Sequence, residues 1–469
     1  MTEHHEEDSY RDHLATVDDK GKRIWVYPKK PKGKFTNYRT WVSYLLLIGL
    51  FAIPHIKIDG QPLAQLDVLG RKFILFGNMF FPADNYIFVI ITVTLFVSIV
   101  LFTVAFGRIF CGWFCPQTIF MEMVYRKIEY AIEGDYKQQI KLDKQDWNFE
   151  KVWKKTLKQG LFFGIAFLIA NTFLAYIIGA DKLWEIQVDD PANHISGLVA
   201  ITIFSFIFFF VFSKLREQVC TTICPYGRLQ GVLLDKDSIV VAYDYKRGEG
   251  RAKFRKGEDR AAVDKGDCID CNQCVVVCPT GIDIRNGTQL ECINCTVCMD
   301  ACDSMMDNVG LDKGLIRYAS ENEIAEGVGF KWTARMKGYI AVLIILFSAM
   351  TYVLTSRNDI QAILLRAPGT LYQKTQDDRF QNMYTIKLLN KTNRDIPVVI
   401  KNMNETGEIK IVTSEIILKP QEEMNTVMFI ILDKSEIQGF KQGVKIGVYS
   451  NGELLETAKS TFVGPMTIN

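Results

Sequence analysis

All twelve cysteines of this 469-residue chain stand in four tight groups. Cys268, Cys271, Cys274 and Cys278 form the run C-x₂-C-x₂-C-x₃-C, and Cys292, Cys295, Cys298 and Cys302 repeat it 24 residues later. In a bacterial ferredoxin run the close triad holds three corners of a [4Fe–4S] cubane, and the fourth cysteine reaches across to the other cluster. The spacing therefore assigns one cluster to Cys268, Cys271, Cys274 and Cys302 and a second to Cys292, Cys295, Cys298 and Cys278. Crossed ligands set the two clusters roughly 12 Å apart, within range of fast electron transfer. Zinc sites use two spaced pairs rather than a triad plus one, so the pattern points to iron. Pro279 follows the first run, whereas Asp303 follows the second.

The other four cysteines, Cys111/Cys115 and Cys220/Cys224, share the spacing C-x₃-C-P, and each member lies 109 residues from its counterpart. In a helical segment an i, i+4 pair places both thiols on one face. Pro116 and Pro225 suit the first turn of a new helix. Cys115 and Cys224 would then sit at helix N-termini, where the dipole favours the thiolate, with Arg108 and Arg228 acting in the same sense. Four such thiols suit Cu(I) or a redox-active dithiol pair, against the alternative of small buried hydrophobes. His55 and His194 fall at outer ends of apolar segments, as candidate haem or metal ligands or as interface histidines. His4 and His5 lie in an acidic tail. No Cys-x-x-Cys-His occurs, so c-type haem is not expected.

These groups need elements to hold them. Five apolar segments approach the ~20 residues that span a bilayer: 41–56, 86–106, 160–179, 195–213 and 338–355. They contain no Asp, Glu, Lys or Arg at their centres, against a proton pump or ion transporter. Nine Lys/Arg in residues 1–40 and ten in 107–159 contrast with three in 57–85 and Lys182 alone in 180–194. The positive-inside rule then places the N-terminus and all twelve cysteines on the cytoplasmic side, where thiols stay reduced. The first forty residues read as a cytoplasmic tail without a cleavable signal. Residues 41–234 form the membrane region with a duplicated hairpin, 235–336 the cytoplasmic ferredoxin domain, 337–356 the fifth helix and 357–469 an exterior β domain. The basic stretch 246–251 reads on composition as a solvated linker.

After 370, Tyr384, Ile386 and Leu388 alternate with polar residues, and further strands are expected at 409–418, 426–432 and 444–449. Asn451-Gly452 is a hairpin signal. The fold class is thus a five-helix transmembrane bundle, an α+β two-cluster ferredoxin insert and an all-β immunoglobulin-like sandwich. A net charge of +2 and the lack of an RNA-binding aromatic signature exclude a nucleic-acid binder.

With these residues in view, the chain resembles the CcoG (FixG/RdxA) family of cytochrome c oxidase accessory proteins over nearly its whole length. The specific points are the paired C-x₃-C-P motifs, the double ferredoxin run and Gly281-Ile282-Asp283-Ile284-Arg285. Asp300-Ala301-Cys302-Asp303 and Gly314-Leu315-Ile316-Arg317-Tyr318 add to it. Tyr243-Asp244 and Arg247-Gly248-Glu249 also fit, although Gly250 stands where a proline is usual. The resemblance implies a bacterial inner-membrane cupric reductase, with copper as substrate at Cys111, Cys115, Cys220 and Cys224 and the C-terminal domain in the periplasm. Its implied partners are copper chaperones and the subunits or assembly factors of a cbb3-type oxidase, with a cytoplasmic electron donor. Two other readings remain: a NapH-like quinol-linked membrane ferredoxin, and a non-enzymatic redox-sensing scaffold.

Overall fold

The computed structural model describes residues 15–465, apart from 19, 59, 69, 71, 82–84, 357, 370, 376, 405, 413–415, 421 and 438. His4 and His5 lie outside the described residues. The chain forms two compact units, one of residues 1–54 with 90–348 and the other of 55–89 with 349–469.

Four helices are long and apolar enough to cross a membrane: Tyr86–Phe106, Phe149–Ile178, Ile195–Leu215 and Ala334–Thr355. Their outer faces are bare, with Val93, Phe96, Ile203, Phe206, Ile344 and Ile345 exposed. A water-soluble monomer does not leave apolar surface on this scale. Exposed Trp147, Trp153, Trp184 and Trp332 lie near the helix ends, as in an interfacial aromatic belt.

The expected first span is a different kind of element. Its helix runs Lys34–Ala52, and the first turns are built for protein contact. The Asp300 carboxylate accepts from the N–H groups of Phe35 (3.0 Å) and Thr36 (2.7 Å) and from the Thr36 hydroxyl (2.6 Å), so a distant side chain caps this helix. A Cβ on Gly33 would overlap that carboxylate. Arg39, 2% exposed, donates its Nε to the Gly112 carbonyl at 2.6 Å. Tyr38, Trp41, Leu45 and Ile48 are exposed along the same helix. The bundle of five equivalent spans thus resolves into four apolar helices and one of mixed character.

The 109-residue repeat extends into the backbone. The spans Tyr86–Phe106 and Ile195–Leu215 keep that offset at both ends. Gly107 (φ 57) and Arg216 (φ 54) then turn the chain at equivalent positions. Glycine adopts that conformation freely. Arg216 is held in it by the buried Glu129 carboxylate, which takes its two Nη groups at 2.7 and 2.6 Å. Farther along, Cys115 N–H bonds the Phe110 carbonyl (2.9 Å) and Cys224 N–H bonds the Val219 carbonyl (2.7 Å). Each is a five-residue, π-type closure. Charge is also buried where the spans begin. The helix Phe149–Ile178 starts before the apolar run and brings in Lys158, whose Nζ lies 2.9 Å from Glu133 and 3.6 Å from Glu129.

The ferredoxin module is closed by an antiparallel pair, Val240–Tyr243 with Ile316–Ala319. The stretch after it is fixed rather than loose: Arg247 donates to the Lys313 carbonyl (2.8 Å) and to Asp312 and pairs with Asp267. In the second unit one sheet orders Glu408–Ile411, Glu423–Leu432, Phe380–Asn390 and Ile360–Arg366. The other orders Ile416–Leu418, Ile396–Asn402, Lys441–Ser450 and Glu453–Val463. Tyr384, Ile386 and Leu388 are fully buried between them, as their alternation requires. Asn451 (φ 49) and Gly452 (φ 88) make the two-residue hairpin turn. Segment 55–89 belongs to this unit, and Asn393 donates to the Gly77 carbonyl at 3.4 Å.

Replacing the capping carboxylate by Asp300→Ala should cost about 1–2 kcal/mol. Thermal melting of nanodisc-embedded protein, followed by intrinsic fluorescence, should show a lower Tm; an unchanged Tm would contradict the capping role.

Candidate iron–sulfur and membrane-edge thiol site

The two ferredoxin loops have one backbone design. Asp270 (φ 51) and Asn272 (φ 55) in the first recur as Asn294 (φ 51) and Thr296 (φ 66) in the second, each 24 residues on. Left-handed residues are uncommon outside glycine. Here they curl each triad around an interior space before the helices Gln273–Val276 and Val297–Val309 begin.

Two small cavities lie inside. Cys268, Cys271, Cys274 and Cys302 line one; Cys278, Cys292, Cys295 and Cys298 line the other, with Cys274 at its edge. Each cavity thus draws thiols from both cysteine runs. Burial pushes Cys274, Cys295 and Cys302 up to about 12 and Cys292 to about 11. Among the described residues no three His, Cys, Asp or Glu converge tightly enough for one bare ion. The thiols ring two spaces, a lining that fits [4Fe–4S] clusters.

The four remaining thiols sit where two helices start. Cys115 precedes Pro116–Ile119 and Cys224 precedes Pro225–Leu233, each as N-cap with proline next. Each half completes the other. Cys111 meets Gln230 of the second half, 3.5 Å from its Nε2 and 3.6 Å from its Oε1. Cys220 meets the Thr118 hydroxyl of the first at 4.0 Å. Charges on Cys111, Cys115 and Cys224 all act on Cys220, so the four share one electrostatic site. Burial pushes Cys111 up to about 11, with Arg108 opposing it, and Cys220 to about 12. Burial thus holds these two thiols neutral. Arg228 is exposed.

The first C-x₃-C loop and the second ferredoxin loop are in direct contact. Cys111 packs into an apolar group with Val277, Ile293, Cys295 and Val297. A Cβ on Gly112 would strike the Ile293 carbonyl and lie 2.9 Å from that of Asn294, so the C-x₃-C loop rests on the backbone of the second cluster loop. Arg108, 4% exposed, binds the Leu290 and Gly227 carbonyls and, at 3.5 Å, that of Cys292. One guanidinium thereby joins a cluster loop to both halves of the repeat. A cluster held by Cys278, Cys292, Cys295 and Cys298 would be the one nearer that loop, the proximal cluster, and one held by Cys268, Cys271, Cys274 and Cys302 would be the distal cluster.

His194 Nε2 lies 3.1 Å from Asp189, and His55 is exposed at the end of a short turn. Neither lies in a group of metal-ligating side chains. Gln230, Thr118, Gly112, Arg39 and Asp300 are site residues that cysteine spacing alone does not reveal. Arg39 beside an apolar run and Gly112 inside a cysteine motif were the available signals.

Residues 215–321 match the family model of a 4Fe-4S dicluster domain and 88–132 that of a 4Fe-4S binding domain. Residues 350–465 match the immunoglobulin-like fold at the C-terminus of FixG. The chain is 33% identical over 392 residues to protein RdxA of Cereibacter sphaeroides, covering 80% of this chain and 81% of that protein. It is 34% identical over 386 residues to RdxB of the same organism, covering 79% and 80%. The nitrogen fixation protein FixG of Rhizobium meliloti is 34% identical over 312 residues, 65% of this chain and 59% of that one. A solved FixG-related protein from Vibrio parahaemolyticus aligns at 18% identity and TM-score 0.20, covering 23% of this chain and 97% of that one.

Iron content tests the crossed ligation. With about eight irons per loaded chain, Cys278→Ser combined with Cys292→Ser should leave about four, because both ligands serve one cluster. Uncrossed ligation would damage both clusters and drive iron well below four.

Proposed function

The chain belongs to the FixG/RdxA family of membrane iron–sulfur electron-transfer proteins, and from that premise we propose that it reduces Cu(II) to Cu(I) for assembly of a cbb3-type oxidase. The observation that carries the reading is a four-thiol site whose Cys111 packs against the loop of the proximal cluster. Thiolates prefer Cu(I) to Cu(II), so a soft site beside a one-electron carrier favours the reduced product.

When bound, the clusters supply single electrons at low potential. The chain's own residues do the rest. Cys111, Cys115, Cys220 and Cys224 hold the copper substrate, with Gln230 and Thr118 orienting Cys111 and Cys220. Each Cu(II) takes one electron and leaves as Cu(I), and no atom is transferred. Protons displaced from the buried thiols pass to solvent. Arg108 and Gly112 hold the loop against Ile293 and Asn294, keeping the last transfer short.

The proposed setting is a bacterial inner membrane with the cysteines on the cytoplasmic side. Four apolar helices and Lys34–Ala52 would give five crossings and a periplasmic β domain. In support, segment 55–89 belongs to the same compact unit as 349–469, as two exterior segments would. The domain would engage oxidase subunits or assembly factors, and copper chaperones would receive the product.

Cys115→Ser with Cys224→Ser should lower dithionite-driven Cu(II) reduction at least tenfold, a loss of about 1.4 kcal/mol or more in transition-state stabilisation, while iron content and iron–sulfur absorbance stay unchanged. Copper reduction at the wild-type rate in that variant would overturn the proposal.

A further inference from the structure

Electrons must enter before they can be used, and the distal cluster has its own surface feature. Residues 252–268 leave the module and return as a closed loop. At its base Ala252 N–H bonds the Cys268 carbonyl (3.2 Å), Gly266 N–H bonds Gly250 (3.3 Å) and Asp267 N–H bonds Arg247 (2.9 Å). Arg260, 6% exposed, pins the interior: its Nε donates to the Gly266 carbonyl (2.8 Å), and its Nη2 donates to those of Ala252 (3.2 Å) and Cys268 (3.1 Å). Cys268 is a ligand of the distal cluster, so the loop is stapled to that cluster's own chain.

The outgoing limb, Lys253-Phe254-Arg255-Lys256, is wholly exposed. Among the described residues no carboxylate lies within 4.0 Å of its three cations. Nearby acids are already engaged: Glu258 by Lys265, Glu249 by Arg251 and Asp270 by Arg285. Asp259 and Asp264 lie on the returning limb. Phe254, 38% exposed, puts an aromatic side chain among the cations. Cys271, in the same cavity wall, is the distal-cluster ligand that is not fully buried.

We infer that this loop is the docking surface for the electron donor, and that the donor is an acidic one-electron carrier protein of the ferredoxin or flavodoxin kind. The inference rests on the reading that electrons enter at the distal cluster. Weak redox complexes use small interfaces, and complementary charge sets their encounter rate. A basic limb around one aromatic fits that pattern. The loop sits on the distal-cluster side of the module, whereas the membrane-edge thiols contact the proximal side, so a protein donor fits it better than a lipid surface. One electron passes from the reduced carrier to the oxidised distal cluster, leaving the carrier oxidised by one equivalent, with no bond made or broken.

The test uses the full chain in zwitterionic nanodiscs, with a purified acidic ferredoxin as probe. Lys253→Glu/Arg255→Glu/Lys256→Glu should weaken binding of oxidised ferredoxin and slow cluster bleaching by reduced ferredoxin, each about tenfold at low salt. The corresponding Gln variant should fall between it and wild type. Salt should slow the wild type and leave the Glu variant nearly unaffected. Iron content and bleaching by dithionite should be equal in all three. Equal binding and equal ferredoxin rates in wild type and Glu variant would overturn the docking surface while leaving the electron-transfer reading intact. A charge effect seen only in nanodiscs of anionic lipid would assign the loop to the membrane and also overturn it. Failure of dithionite to bleach wild-type clusters would instead strike the reading on which the inference rests.

Discussion

Gly112 has no side chain because the backbone of Ile293 and Asn294 occupies the place where one would go. This close approach is the contact on which the architecture converges. Electron transfer weakens steeply with distance, so the cluster loop and the thiol loop must touch. Arg108 fixes the approach by donating to Leu290 and Cys292 in the cluster loop and to Gly227 in the second half, and Arg39 donates to the Gly112 carbonyl. Carbonyls turned away from water in this way need such donors. Two buried arginines and one glycine therefore maintain the spacing that iron and copper chemistry would share.

The helix Lys34–Ala52 shows how the membrane region and the ferredoxin module become one body. It is capped by Asp300, two residues before Cys302, and its Arg39 lies over the second cluster loop. A substitution that loosens this helix acts on both clusters through their loops. The buried acids and bases around Glu129, Glu133, Lys158 and Arg216 play a comparable part in the second half of the repeat. Buried ion pairs contribute little net stability but penalise wrong arrangements strongly.

The iron–sulfur character of the chain was legible because ligand spacing is local: a triad must come from one loop whatever surrounds it. The strands around Tyr384 and the Asn451-Gly452 turn were legible for the same reason. What escaped was long-range. Nothing in the vicinity of Cys111 announces Gln230, and nothing beside Asp300 announces the start of Lys34–Ala52. Likewise, composition marked 246–251 as a linker, although Arg247 ties it to Asp267 and the Lys313 carbonyl.

The crossed contacts of the repeat have a further meaning. Cys111 leans on the second half and Cys220 on the first, so neither half builds the thiol site alone. A single hairpin of this type could not enclose four thiols; two copies could. The chain carries both copies fused, and fusion frees them to diverge. One half kept a glycine at 112 and meets the ferredoxin module, whereas the other has Thr221 at the equivalent place and tied its turn at Arg216 into a buried carboxylate. A symmetric pair has thereby acquired a receiving side and a bracing side.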